Sequence, residues 1–168
     1  MDNQILNKFT THLKNALKKA KDLGASMNHP AIKPEHLVYG LILQKGSIAA
    51  EILIKSGLTA ERTRTLVVEK NKSAEQPNGT ASDKPVGLDA DVKKIIERAA
   101  LTAHQHQHKY IGTEHLLASL LQADTKNMIA LWQEHNVDLD KLHGQLDTVM
   151  RSTSKFPDLT QIFEQAKE

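Results

Sequence analysis

Cysteine is absent from the 168 residues, which removes disulfides and thiol catalysis and is compatible with a reducing compartment. No run approaches the roughly 18 consecutive apolar residues of a membrane-spanning helix. The opening stretch MDNQILNKFTTHLKNALKKAK has no apolar block of the kind a signal peptide needs. A surplus of charge is missing as well. With 22 basic against 20 acidic residues the net charge is +2, and no patch of Lys and Arg stands out as an electrostatic footprint for nucleic acid. These absences point to a cytoplasmic protein that binds neither membrane nor nucleic acid. No segment alternates strongly enough between apolar and polar residues to read as a strand. A phosphate loop is also missing: GLILQKGS carries Lys45 where the second glycine of that motif belongs and lacks its Lys-Ser ending.

What the chain does contain is a phrase written twice. IKPEHLVYGLILQ begins at Ile32 and IGTEHLLASLLQ at Ile111, 79 positions later. The same shift, without a gap, lays Leu13 on Val92, Ala16 on Ile95, Ala20 on Ala99, His29 on His108 and Leu53 on Trp132. The match is mostly one of apolar pattern, as expected of two copies of one packing unit.

Each copy reads as four helices. In the first, Leu13, Ala16, Leu17, Ala20 and Gly24 follow the spacing of one buried helical face. Thr10 and its counterpart Asp89 stand where N-caps belong, and Pro34 suits the first position of a second helix. A third helix runs through SIAAEILIK to Gly57, and a fourth starts from Thr59. The second copy has helix starts at Asp89, Thr113, Thr125 and Asp138. The expected fold is therefore all-α, with two tandem pseudo-symmetric four-helix repeats packed as one eight-helix domain over residues 1–151. Repeat one occupies about 5–70 and repeat two 88–151. Residues 71–87, rich in Gly, Pro, Ser, Asn and charge, are expected to be a flexible connector. Residues 152–168 form a linker or tail.

The order FTTHLKNALKKAKDLG…IKPEHLVYGLI, echoed by LDADVKKIIERAALTAHQHQHKYIGTEHLLASLL, resembles the Clp N-terminal domain, also called the Clp repeat domain. That domain precedes the ATPase rings of Clp-type AAA+ unfoldases. The resemblance covers roughly residues 5–151, and the Gly-Thr-Glu-His form of the second repeat is most similar to the ClpC branch. It implies a docking domain for protein substrates and adaptors, without cofactor or catalysis of its own. It also implies a chain that continues into ATPase rings; a stand-alone accessory protein of a Clp protease is the alternative. An enzyme built on the Glu-His pairs would need a metal or a nucleophile that the sequence does not display.

The duplicated Glu-His pair has a plain reading and a sharper one. Glu35 and Glu114 fall in the first turn of a helix, where a carboxylate gains about 0.3–1 kcal/mol from the helix dipole. A carboxylate there is expected to remain reachable from solvent. His36 and His115 precede an apolar run and are expected to be buried and hydrogen-bonded between helices. A first-turn carboxylate beside unpaired N–H groups suits a ligand that is cationic at one end and anionic at the other, such as phosphoarginine. The resemblance implies one such site per repeat, centred on Glu35 and Glu114. In the second repeat Thr113 supplies a hydroxyl and Gly112 permits close backbone approach. In the first, Pro34 removes an N–H donor and Lys33 offers a positive charge instead. His104 and His108 have chelating spacing, but no third ligand is evident nearby and a solvated surface is the expectation. Trp132 is expected in the core.

Overall fold

The computed structural model describes residues 3–75 and 86–154. The first repeat comprises α1 (Asn3–Asn7), α2 (Thr11–Ser26), α3 (Pro34–Leu43), α4 (Ile48–Lys55) and α5 (Ala60–Lys70). The second comprises α6 (Ala90–Gln105), α7 (Thr113–Leu121), α8 (Lys126–Glu134) and α9 (Leu139–Ser154). All eight expected helices are present, and the short α1 is an addition. The starts follow from local chemistry. The hydroxyls of Thr10, Ser47, Thr59 and Thr125 each accept an N–H from the first turn of the helix that follows, and Asp89 and Asp138 do the same with a carboxylate.

Helices α2 and α6 close alike. Asn28 and Gln107 both adopt left-handed backbone, with φ of 55° and 58°. The next N–H in each copy returns to the helix: that of His29 to Gly24 and that of His108 to Ala103, both at 2.9 Å. This closure delivers His29 and His108 to equivalent places.

Two features depart from the expected all-helix pattern. Residues β1 (Ala31–Ile32) and β2 (Gly87–Leu88) pair in parallel, and Phe9 makes an isolated parallel bridge to Ile111. Each stitches the loop before a second helix to the approach of the other repeat's first helix. The expected connector is also less loose at its ends than its composition suggested. Asn71 is buried, Lys72–Ala74 form a 3-10 turn, and Gly87 lies in β2. The remainder, 76–85, and the tail, 155–168, lie outside the described residues.

One apolar cluster runs through both repeats, joining Leu13, Leu41 and Leu53 to Leu116, Leu120 and Trp132. Each fully buried leucine contributes roughly 1.5–3 kcal/mol. Trp132 is buried in this core, as expected. The tightest approach lies between α2 and α3. A Cβ built on Gly40 would stand 2.2 Å from the carbonyl oxygen of Ala16, so only glycine fits. At the equivalent place in repeat two a side chain is accommodated: Ser119 Oγ donates to the carbonyl of Ile95 at 2.7 Å. Among the described residues no single helix is long and apolar enough to cross a membrane.

Candidate functional site

The two Glu-His pairs begin α3 and α7. In both, the histidine is the third helical residue and its ring turns back on the helix start. The N–H of Lys33 donates to His36 Nδ1, and that of Gly112 donates to His115 Nδ1, each at 2.9 Å. The ring thus replaces the carboxylate of an ordinary capping box. Because Nδ1 accepts, the ring proton sits on Nε2. His36 Nε2 therefore donates to His29 Nδ1 at 2.9 Å, and His115 Nε2 donates to His108 Nδ1 at 2.6 Å. In repeat two the relay ends on a backbone carbonyl: His108 Nε2 donates to Met150 at 3.2 Å. In repeat one His29 Nε2 meets the Glu75 carboxylate only at 3.9 Å.

Burial holds these rings neutral. Desolvation, followed by the neighbouring His29, lowers the pKa of His36 to about 4. Desolvation, followed by His108 and His106, lowers that of His115 to about 3. Burial also lowers His29 and His108. His36 and His115 are both fully buried between helices, as expected. The expected solvated surface is not what His108 occupies. It is buried with both nitrogens engaged, while His106 Nδ1 donates to the carbonyl of Thr102 at 3.0 Å.

The carboxylates contradict the expectation of solvent exposure. Glu35 is 1% exposed and Glu114 0%. Each start of a second helix is covered by the other repeat, and that packing, not the helix position, decides exposure. The coverings differ. In repeat two the Thr113 hydroxyl oxygen is buried and accepts the Ala49 N–H at 3.1 Å, extending the cap of α4 across the repeat boundary. Glu114 Oε1 lies 3.7 Å from His115 Nδ1. That nitrogen already accepts the Gly112 N–H on a neutral ring, so the contact is not an ion pair.

In repeat one Pro34 has no hydroxyl to offer, and Glu35 makes the crossing contact itself. Its Oε2 accepts from Asn71 Nδ2 at 3.1 Å and from Asn127 Nδ2 at 2.5 Å. Asn71 closes α5, and Asn127 lies in the first turn of α8. Beside this knot a cavity of about 210 Å³ opens between the repeats, lined by Lys33, Pro34 and Glu35 from one and by Asp89, Asp91, Thr125, Lys126 and Asn127 from the other. The structure therefore gathers Lys33, Pro34 and Glu35 at a cavity, while Thr113 and Glu114 are packed away. Sequence reasoning did not find Asn71, which stands in a polar run that reads as connector. Nor did it find Asn127, whose only local signal is its place two residues after an N-cap.

The model of the Clp repeat (R) N-terminal domain matches residues 8–135 and, again, 87–166. The chain belongs to this family. The first match spans repeat one and most of repeat two, and the second covers repeat two. Among curated relatives, an uncharacterised protein of Mycobacterium tuberculosis is 26% identical over 147 residues, covering 88% of this chain and 54% of that protein. The ATP-dependent Clp protease ATP-binding subunit ClpC of Staphylococcus epidermidis is 24% identical over 142 residues, covering 84% of this chain and 17% of that protein. The chain thus spans about half the length of the first of these relatives and about a sixth of the second. Of solved structures, the Hsp104 N-terminal domain of Candida albicans superimposes with a TM-score of 0.72 at 14% identity, covering 94% of this chain and 99% of that one. The complex of a ClpV N-domain with a VipB peptide gives 0.63 at 15% identity, covering 88% and 90%. At these identities the superpositions establish the fold.

Proposed function

We propose that this chain is a docking module that presents protein substrates and adaptors to a Clp-type protease machine, with no chemistry of its own. The observation that carries this reading is the cavity at Glu35, where a buried carboxylate held by two amides meets two aspartates and two lysines at the boundary between repeats. Such a mixed polar hollow recognises side chains and backbone; no nucleophile or activated base is gathered there. The ClpV relative of the same fold, solved with a peptide, supports polypeptide as the ligand class. The compartment consistent with this role is the cytoplasm. Saturable binding of a labelled, permanently unfolded polypeptide, followed by fluorescence anisotropy, is expected, with at least tenfold weaker affinity for a natively folded Glu35→Gln. No saturable binding up to millimolar protein overturns the reading.

A finer reading concerns phosphoarginine, for which the family resemblance favours Gly112, Thr113 and Glu114. There the guanidinium would face Glu114, and the phosphoryl group would face the Thr113 hydroxyl and the helix-start N–H groups. This requires the Thr113–Ala49 contact to open. Under that reading Glu114→Ala weakens a phosphoarginine peptide more than tenfold in a calorimetric titration, since a charge-assisted contact contributes about 1.5–3 kcal/mol. Unchanged affinity removes Glu114 from the site.

A second reading, an accessory protein without ATPase rings, is favoured by the size of the Mycobacterium tuberculosis relative. The 147 matched residues are 54% of that protein, which puts it at roughly 270 residues. ClpC, of which 142 residues are 17%, is about three times as long. Sequencing the transcript beyond Glu168 separates the two: a downstream phosphate loop selects the unfoldase subunit.

A further inference from the structure

The cavity beside Glu35 differs from a phosphate-binding pocket in both charge and donors. We infer that it takes the unmodified guanidinium of an arginine side chain on a docked polypeptide and rejects the phosphorylated form. The inference rests on the docking reading and names the side chain that this site selects.

Three carboxylates line the cavity, Glu35, Asp89 and Asp91, against two ammonium groups, Lys33 and Lys126. The balance is one negative charge. The most deeply placed of the five is Glu35, while Lys126 is exposed on a flexible stem. A phosphoryl group carrying nearly two negative charges would enter against that balance.

Several of the donors are already committed. Three helix starts border the cavity, and an anion would draw on their N–H groups. At α3 Pro34 has none, the Lys33 N–H is given to His36 Nδ1, and the His36 N–H returns to the Lys33 carbonyl. At α6 the Asp89 carboxylate accepts the Asp91 N–H at 2.7 Å, so an anion already occupies that end. At α8 the Thr125 hydroxyl accepts the Met128 N–H.

Acceptors, by contrast, are available. Both amides converge on Glu35 Oε2, and Oε1 makes no hydrogen bond among the described residues. The amides fix this nine-tenths-buried carboxylate as an acceptor, and Asp89 adds a second across the hollow. Two carboxylates around a flat, five-donor fork is the arrangement that prefers arginine to lysine.

The test uses the intact chain and four otherwise identical short peptides carrying arginine, lysine, citrulline or phosphoarginine at one position. Two-dimensional amide NMR reports where each binds. The arginine peptide is expected to shift the Glu35 and Asn127 signals. Citrulline, of similar shape but uncharged, and phosphoarginine are expected to bind there at least tenfold more weakly. Asp89→Asn keeps an N-cap and the fold, yet should weaken arginine about threefold and narrow the gap to phosphoarginine. Glu35→Gln, checked for a native spectrum, should abolish the preference. If phosphoarginine binds this cavity as tightly as arginine or tighter, the inference fails while docking stands. If no peptide moves Glu35 or Asn127, docking at this cavity fails and the inference with it.

Discussion

Two repeats with one helical plan use their shared positions for different ends. Where repeat one has Gly40 pressed against the Ala16 carbonyl, repeat two has Ser119 bonded to the carbonyl of Ile95. Where repeat one has Pro34 and leaves a cavity, repeat two has Thr113 and caps the opposing helix. Where His108 ends its relay on Met150, His29 Nε2 stands 3.9 Å from the Glu75 carboxylate. The scaffold survives duplication because its apolar faces and caps are kept. The polar residues at the boundary between copies can change without altering it. At the boundary the Thr113–Glu114 start is packed away and the Pro34–Glu35 start borders a cavity.

The comparison breaks most severely at Gly40. Exchanging the partners, Gly40→Ser should force α2 and α3 apart and cost about 3 kcal/mol or more. Ser119→Gly forfeits one hydrogen bond and some helix propensity, about 1–2 kcal/mol. Denaturant unfolding of the two variants measures this asymmetry directly.

Acid is expected to act on both halves, and more on the second. The folded pKa values of His36, about 4, and His115, about 3, lie below the unfolded value of about 6.5. Between these limits the unfolded chain binds protons that the folded chain refuses. The stability associated with neutral rings is therefore complete above pH 6.5 and is lost as pH falls through the folded values. Each ring contributes a slope of up to about 1.4 kcal/mol per pH unit in its window. Thermal melts from pH 7 to 3 should show the decline. His115→Gln should flatten it more than His36→Gln, because its window extends lower.

The smallest effect sharpens the boundary. Thr113→Val keeps the shape and removes the acceptor of the Ala49 N–H, at a cost of about 1 kcal/mol. Hydrogen exchange at Ala49 should rise while exchange in α8 stays unchanged.

The sequence was most legible where structure is local. Thr10, Thr59, Asp89, Thr125 and Asp138 announce helix starts because a cap acts within its own turn, and the apolar spacing in α2 and α6 names the faces that pack. The site was legible as a position and not as an environment. Glu35 and Glu114 were found through their helix starts, but the dipole argument is blind to what the other repeat places on top. Asn71, Asn127 and the β1–β2 pairing depend on segments far apart in the chain, and no local pattern encodes such contacts. No local pattern marks Gly40, because its reason lies in the carbonyl of Ala16 on another helix.

The proposal turns on docking at the Glu35 helix start, not at the Glu114 start. Titrating one labelled unfolded polypeptide against Glu35→Gln and Glu114→Gln, with native folding of each verified by circular dichroism, tests it most directly. At least tenfold weaker binding is expected for Glu35→Gln and native affinity for Glu114→Gln. The reverse pattern, loss at Glu114 with Glu35 indifferent, would contradict it.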